Sequence, residues 1–422
     1  MAQLSDDCFS GADRLITTSE ALTILSDRIT PVTDVTVVPL RAAVGRILAE
    51  DIVSPVDVPP HANSAVDGYA VFFEDLDPSA VTTLPIGGRA AAGHPLGRAA
   101  NRGEAIRIFT GAPMPAGPDT VMMQEDCREA DGDVTIAPGI KQGANCRAAG
   151  EDVTKGRTIL KSGLRLRPQE VGLAAAVGRA ELQVFKKVRV AIFSTGDEVG
   201  EPGETLAAGK IYDSNRYTTM SALERLGCVV DDLGILQDSP EKIAEAIRKA
   251  ARSHDVLVTS GGMSVGEEDH VGKAVSDNGN LHFWRLAIKP GRPVSLGQVN
   301  AGDQSAAFIG LPGNPVAAMV TFLLIGRPLV LRLGGATEIS PAVYRVTAGF
   351  THKKKLDRRE YVRARLEDTP DGTVRAQKHG ASGAGVLSSL VGADGLVELP
   401  EHMTEIKAGS TVNFLPFSEV LG

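Results

Sequence analysis

The sequence predicts an α/β and β multidomain protein, with a mostly parallel sheet and smaller β-rich units before and after it. Three observations predict this. Residues 187–333 alternate buried-type strands with capped helices, the pattern of βαβ units. Residues 70–145 and 340–422 carry short apolar runs, some of them strictly alternating, broken by Gly, Pro and Asp. The chain also has 422 residues, more than one core ordinarily serves.

The first helix is expected over SEALTILSDRI, with Ser19 as cap and Leu22, Leu25 and Ile29 on one face. From about residue 70, the runs TTLPIGG, EAIRIFTG, DTVMMQED and DVTIAP read as strands of a small β-rich domain. The stretch from QGANC to AAAVG returns to the first domain. The expected boundaries are therefore 1–58 with 147–186, an insertion at 59–146, an α/β domain at 187–335 and a last β domain at 336–422.

In the α/β part, VRVAIFSTG is a buried strand ending in glycine. Ser214 and Asn215 open a helix carrying Met220, Leu223 and Leu226, and Gly227 stops it. CVVDDLGIL is the next strand. Ser239-Pro240-Glu241 starts another helix with a cap, a proline and an acid, and Ile243, Ala246, Ile247 and Ala250 form its apolar stripe. DVLVTSGG and AAFIGLPGNP are strands, and MVTFLLIGRPLVLRL is a helix. In the tail, Tyr361, Arg363 and Arg365 alternate with Val362, Ala364 and Leu366, which suits a small barrel or sandwich.

The formal net charge of −8 argues against a nucleic-acid or membrane-surface role, which needs a basic field. Cys8, Cys127, Cys146 and Cys228 form no C-x-x-C pair, so neither a zinc knuckle nor a dithiol site is indicated. The N-terminal residues do not read as a signal peptide, and the longest apolar run, 316–326, is too short to cross a bilayer. The expectation is a cytoplasmic protein with no membrane and no nucleic-acid partner.

Three loops share one design: Ser194-Thr195-Gly196-Asp197-Glu198, Ser260-Gly261-Gly262-Met263-Ser264, and Leu311-Pro312-Gly313-Asn314-Pro315. Each follows a strand, and open α/β sheets bind ligands beyond the carboxyl ends of their strands. Glycines let the backbone approach a ligand, and prolines limit the shapes the loop must lose on binding. Lys289-Pro290-Gly291-Arg292-Pro293 adds two cations on another stiff loop. A basic corner in an acidic protein suits phosphate or a similar oxyanion. Glu198, Asp238, Glu267, Glu268 and Asp269 are candidate ligands for a Mg²⁺ bridging such an anion.

Plainer roles are open for each feature. Lys289 and Arg292 are also able to pair with surface carboxylates, worth little. The acids at 267–269 also fit a solvated helix start, and Asp67 before Gly68 fits a turn. His61, His270, His352 and His379 lack metal spacing, and His352-Lys353-Lys354-Lys355 reads as a solvated loop.

NSAVDGYA, IFTGAPMPAGPDTVMMQED, GEDV, FSTGDEV, YDSNRY, GGMSVGEEDH, KPGRP and GLPGNPVA occur in this order. The ordered set resembles the molybdopterin molybdenumtransferase family, to which the E domain of gephyrin also belongs. The resemblance covers the chain from about residue 17 to its end. It implies an elongated N-terminal domain, an inserted β-domain, a molybdenum-cofactor-type α/β domain and a C-terminal β-barrel. It implies a homodimer whose active-site clefts are shared between subunits. The implied substrates are adenylylated molybdopterin and molybdate, with AMP released and Mg²⁺ assisting. Molybdopterin adenylyltransferase and molybdoenzyme maturation proteins are the implied further partners.

The resemblance assigns catalytic roles to Asp67, Thr110, Asp152, Glu198, Asp238 and Asp269, with Glu198 and Asp269 organising the metal. It assigns substrate binding to Gly196, Gly261, Gly262, Ser264, Lys289, Arg292, Pro312, Gly313, Asn314 and Pro315. Many relatives have Met, Lys, Tyr and Ser where this chain has Val66, Arg292, His270 and Ala317. Ala317 removes a hydroxyl able to assist an oxyanion, and His270 would bring pH sensitivity. Two other functions share part of this reading: adenylylation of molybdopterin on the same α/β fold, and a scaffold of the gephyrin type. AMP-adduct formation from ATP without molybdate marks the first, and retained function after loss of Asp67 or Lys289 marks the second.

Overall fold

Seven strands form the central sheet of the chain, which is described here from a computed structural model over residues 15–261, 270–370 and 372–421. In chain order they are β1 (Leu15–Ile16), β2 (Arg189–Thr195), β3 (Val229–Leu236), β4 (Val256–Ser260), β5 (Gly279–Leu286), β6 (Pro293–Ala301) and β7 (Gln304–Leu311). Their order across the sheet is β1-β5-β6-β7-β4-β2-β3. The pairings of β7 with β4, β4 with β2 and β2 with β3 are parallel, as is β1 with β5. Only β6 runs against its neighbours. The sheet is thus mixed but mostly parallel, and β2 and β4 read as nearly unbroken apolar runs because both their faces are covered.

The helices begin and end where local chemistry directs. Helix α1 (Thr18–Arg28) is capped by Thr17, not Ser19. Glu20 explains the shift, because its carboxylate accepts from the Thr17 N–H at 2.8 Å and completes a capping box. Helix α2 (Asn215–Arg225) ends before Gly227, whose φ of +92° a side chain would resist. Helix α3 (Pro240–Ala251) has Ser239 as cap and proline in its first turn, and it buries Ile243, Ile247 and Ala250. Helix α4 (His270–Asp277) follows the residues not described.

The helical segment after β7 is interrupted by a wider turn. Helix α5 (Pro315–Thr321) continues as a π turn (Phe322–Gly326) and then as α-helix over Arg327–Leu333. Pro328 lacks the N–H that an α-helix would pair one turn back, and the wider turn precedes it. The helical stretch is longer than the apolar run 316–326 suggests. Its 19 residues suffice to cross a membrane by length and composition, yet 94% of the apolar window is buried inside the protein. Val316, Phe322, Leu323, Ile325 and Leu329 belong to the main core with Leu25, Val190, Trp284 and Leu296.

The tail closes into a five-stranded barrel of β8 (Tyr344–Ala348), β9 (Arg359–Asp368), β10 (Val374–Lys378), β11 (Gly395–Leu399) and β12 (Thr411–Pro416). Closure removes the sheet edges, and the short strand Ile288–Lys289 then adds in parallel to β9. The alternation in β9 hides a subtlety. Val362 and Ala364 fill the barrel, but Tyr361 and Arg363 on the other face are buried too, Tyr361 within the main core.

By internal packing the chain divides into two compact units. One holds residues up to 49, 162–167 and those from 182 on; the other holds 50–161 and 168–181. The second unit has a six-stranded sheet in the order Thr120–Met123, Gly68–Val71, Ala105–Ile108, Thr82–Ala90, Asp133–Ile136, Cys127–Ala130. The four runs singled out from the sequence are all strands of it.

Candidate active site

Register brings the three glycine loops together. Ser194 on β2 pairs with Ser260 on β4, and Ser260 pairs with Leu311 on β7. All three strands point the same way, so the loops at 196, 261 and 312 leave one sheet edge side by side. The Gly261 N–H donates to the Leu311 carbonyl at 3.3 Å, and the Asn215 side chain donates to the Gly313 carbonyl at 2.8 Å. Gly196 has φ +123°, and a Cβ there would stand 2.5 Å from the Glu198 carboxylate. Glycine at 196 therefore makes room for the acid.

These loops form one wall of a cleft of about 580 Å³. Glu198, Gly261, Lys289, Arg292, Pro312, Gly313 and Asn314 line it. Gly196 and Pro315 adjoin the lining without being part of it. Asp238 is exposed, 4.0 Å from His270 Nε2, and is not in the lining. Gly262, Ser264, Glu267, Glu268 and Asp269 lie outside the described residues. Among the described residues no cluster of three or more His, Cys, Asp or Glu is spaced to hold a metal ion.

The opposite wall is one that sequence reasoning missed. It comes from the barrel and its loops: His352, Glu360, Tyr361, Arg363, Lys378, His379 and Ser382. The signal for it was faint, an arginine in an alternating strand, and the pairing that brings it here joins residues seventy-one positions apart. Lys289 sits opposite Glu360 in that pairing, and its ammonium donates to Glu360 Oε1 at 2.5 Å. The Lys289 side chain is half exposed, while that of Glu360 is 5% exposed. Burial pushes the Glu360 carboxyl up, but the Lys289 ammonium and His352 outweigh it and hold the carboxyl below its ordinary range. So Lys289 does pair with a carboxylate, but a buried one inside the cleft.

Arg363 is buried and held by the Ser389 hydroxyl at 3.0 Å and the Ala381 carbonyl at 2.5 Å. The run 352–355 is solvated only in part: Lys353 and Lys355 are exposed, while His352 and Lys354 are half-buried. His352 pairs with Ile406 and Lys353 with Glu405, and the Lys354 ammonium donates to the carbonyls of Lys355, Glu401 and Met403. Among the described residues, the cleft presents Lys289, Arg292, Arg363 and Lys378 against Glu198 and Glu360, an excess of cations within a chain of net charge −8.

In the second unit, Asp67 Oδ1 accepts from both the N–H and the hydroxyl of Thr110, each at 2.7 Å. The backbone donor first, then the hydroxyl, hold this carboxyl below its ordinary range. Gly68 is required beside it, since a Cβ there would stand 1.7 Å from the Met122 carbonyl oxygen. Asp152 lines a separate hollow with Asn63, Arg147 and Glu151.

Comparison with known proteins gives this layout a class. Residues 16–178 match the MoeA N-terminal region (domain I and II), residues 191–332 a probable molybdopterin binding domain, and residues 345–417 the MoeA C-terminal region (domain IV). A solved molybdopterin biosynthesis moeA protein from Pyrococcus horikoshii superimposes with a TM-score of 0.79 at 30% identity, over 96% of this chain and all of that one. The chain is therefore a MoeA-type multidomain protein of molybdenum cofactor biosynthesis. A molybdopterin molybdenumtransferase from Haemophilus influenzae is 39% identical over 91% of this chain and 94% of its own. One from Nostoc is 34% identical over 90% and 88%. The chain belongs to the molybdopterin molybdenumtransferase family.

Proposed function

We propose that this protein is a molybdopterin molybdenumtransferase, inserting molybdenum from molybdate into adenylylated molybdopterin and releasing AMP. The observation that carries the reading is the cleft: glycine loops in one wall, and an excess of cations drawn from both walls among its described lining residues, in an otherwise acidic protein. Lys289 and Arg292 take phosphate or molybdate, and Arg363 and Lys378 oppose them. Gly261, Pro312, Gly313 and Asn314 shape the surface for the phosphate and pterin, joined by Gly262 and Ser264.

Catalysis on this reading is electrostatic and positional. Cations fixed in place neutralise charge as the phosphoanhydride to AMP breaks, without reorganising at that moment. Holding molybdate beside the dithiolene sulfurs removes the entropy of their encounter. Glu198, together with Asp269, would hold Mg²⁺, which supplies charge neutralisation at the phosphates. One or two carboxylates completed by substrate phosphates is the usual Mg²⁺ arrangement, and the carboxylate over Gly196 fits it.

The domain division 1–58 with 147–186, 59–146, 187–335 and 336–422 belongs to the same reading, as does a cytoplasmic location. So does a homodimer in which Asp67, Thr110 and Asp152 of one copy serve the cleft of the other. Molybdenum insertion by purified protein tests the reaction, with Lys289→Ala as the inactive control. Mixing inactive Asp67→Ala and Lys289→Ala proteins tests the dimer. Residues acting across a two-fold interface would recover about a quarter of the activity through mixed dimers. No recovery on full subunit exchange would refute sharing, and absent insertion by the wild type would refute the activity.

A further inference from the structure

We propose that oxyanion binding at Lys289 is coupled to proton uptake at His352, through the carboxylate of Glu360 that both side chains face. The proposal rests on the cleft being an oxyanion site and adds how that site is held ready.

Two side chains approach Glu360 Oε1, and of these only Lys289 hydrogen-bonds to it, leaving the buried His352 Nε2 without a hydrogen-bond partner. The Lys289 ammonium lies 2.5 Å from Glu360 Oε1, and His352 Nε2 lies 3.3 Å from it. Glu360 Oε2 is buried and has no hydrogen-bond partner. The carboxylate is thus compensated chiefly by one ammonium, which is itself half exposed at the cleft. Each side chain comes from a different strand pairing, Lys289 opposite Glu360 on β9 and His352 opposite Ile406. The three positions are therefore set by backbone register rather than by flexible loops.

A buried carboxylate left without positive compensation is costly. A dianion drawn to Lys289 either pulls the ammonium away or shares it, and both raise the negative charge beside Glu360. His352 is the adjoining group with an imidazole to protonate, and histidine is the side chain suited to do so near neutral pH. Its other charged surroundings are already committed. Lys354, on the same segment, donates to three carbonyls, and Arg359 on β9 is paired with Glu398 and Glu401. On the same wall of the cleft, Arg363 and Lys378 are permanent cations, and His379 is the second imidazole. Glu360 is accordingly a positioning residue: it parks Lys289 in the free protein, and His352 takes over when an anion arrives.

Calorimetric titration of the full chain with molybdate, at pH 7.5 in two buffers of different ionisation heat, counts the protons. We expect about one proton taken up per molybdate bound, and an affinity that falls up to about tenfold per pH unit on the alkaline side. In His352→Gln the uptake disappears and the pH slope flattens, whereas His379→Gln keeps both. Glu360→Gln also loses the uptake, and decides the matter if His352→Gln does not fold. Wild-type binding without proton exchange overturns the coupling alone, as does undiminished uptake in a folded His352→Gln. No molybdate binding by the wild type removes the oxyanion-site reading, and the coupling with it.

Discussion

The side chain of Asn215, at the start of α2, donates to the carbonyl of Gly313, ninety-eight positions away, at 2.8 Å. This bond ties the third glycine loop to a helix anchored in the main core through Leu223 and Ala222. Asn215→Ala removes a bond worth about 1 kcal/mol. The expected result is a small loss of thermal stability and a severalfold rise in KM for the anionic substrate, with kcat less affected. Steady-state kinetics with a melting curve checks it; an unchanged KM would show that the loop holds its shape without the tie.

Gly291 lies between the two cationic residues of its loop, with φ +98°. A Cβ there would stand 2.4 Å from Thr321 Oγ1 and 3.0 Å from the Ala317 carbonyl oxygen. Gly291→Ala combines backbone strain with a clash against helix α5, and should cost about 1–3 kcal/mol. It should also displace Lys289 or Arg292, so that molybdate affinity drops further than in Asn215→Ala. Denaturant unfolding and anion titration read the two effects separately.

Asp67 sits in a partly exposed bend and its side chain accepts only from Thr110 on a neighbouring loop, so its loss should leave the fold intact. Asp67→Ala is expected to keep its circular dichroism and oligomer size while insertion falls roughly 100-fold or more. Thr110→Val, which spares the backbone donor but removes the hydroxyl, should fall between wild type and Asp67→Ala. Normal insertion by Asp67→Ala would end its assignment.

Acid should reveal the Lys289–Glu360 pair. The folded protein holds the Glu360 carboxyl below its ordinary value of 4.5. A depressed carboxyl stabilises the fold fully above that value, and the contribution fades as pH falls through the lower folded value. The stability gap between wild type and Glu360→Gln should therefore be widest near neutrality and narrow below about pH 4.5. Equilibrium unfolding at several pH values measures it, and a gap independent of pH would contradict the assignment.

Burial pushes the Cys228 thiol up to about 12, and burial with neighbouring acids pushes Cys127 up to about 11. Thiolates are the reactive form. Both residues should resist iodoacetamide in the native protein near pH 8 and react on unfolding. Peptide mass spectrometry assigns the labelled positions; rapid native labelling of Cys228 would mean that its surroundings open.

Much of the site was legible in the chain itself. Strand-ending glycines at 196 and 261 and the proline-framed turn at 312–315 carry their own constraints, because a left-handed or closely approached backbone admits few residue types. KPGRP announced its cations in the same local way. Helix starts at 239 and stops at 227 were equally local. The α1 start was misplaced by two residues because Glu20 acts through its side chain on Thr17 rather than on Ser19. The barrel wall of the cleft was barely legible, since Arg363 in an alternating strand was its one signal. Nothing near Glu360 or His352 says that they face Lys289, because that meeting depends on the strand 288–289 joining β9.

The sequence by itself determined which segments are strand, helix and rigid turn, and which family's ordered motifs the chain carries. Those properties follow from local backbone freedom, capping and the period of apolar residues. Tertiary structure alone decided which charges share a space. It made Glu360 a buried partner of Lys289, set His352 in the wall of the cleft, and buried both faces of β9. Charges couple through distance and burial, and neither is written in the order of residues along the chain.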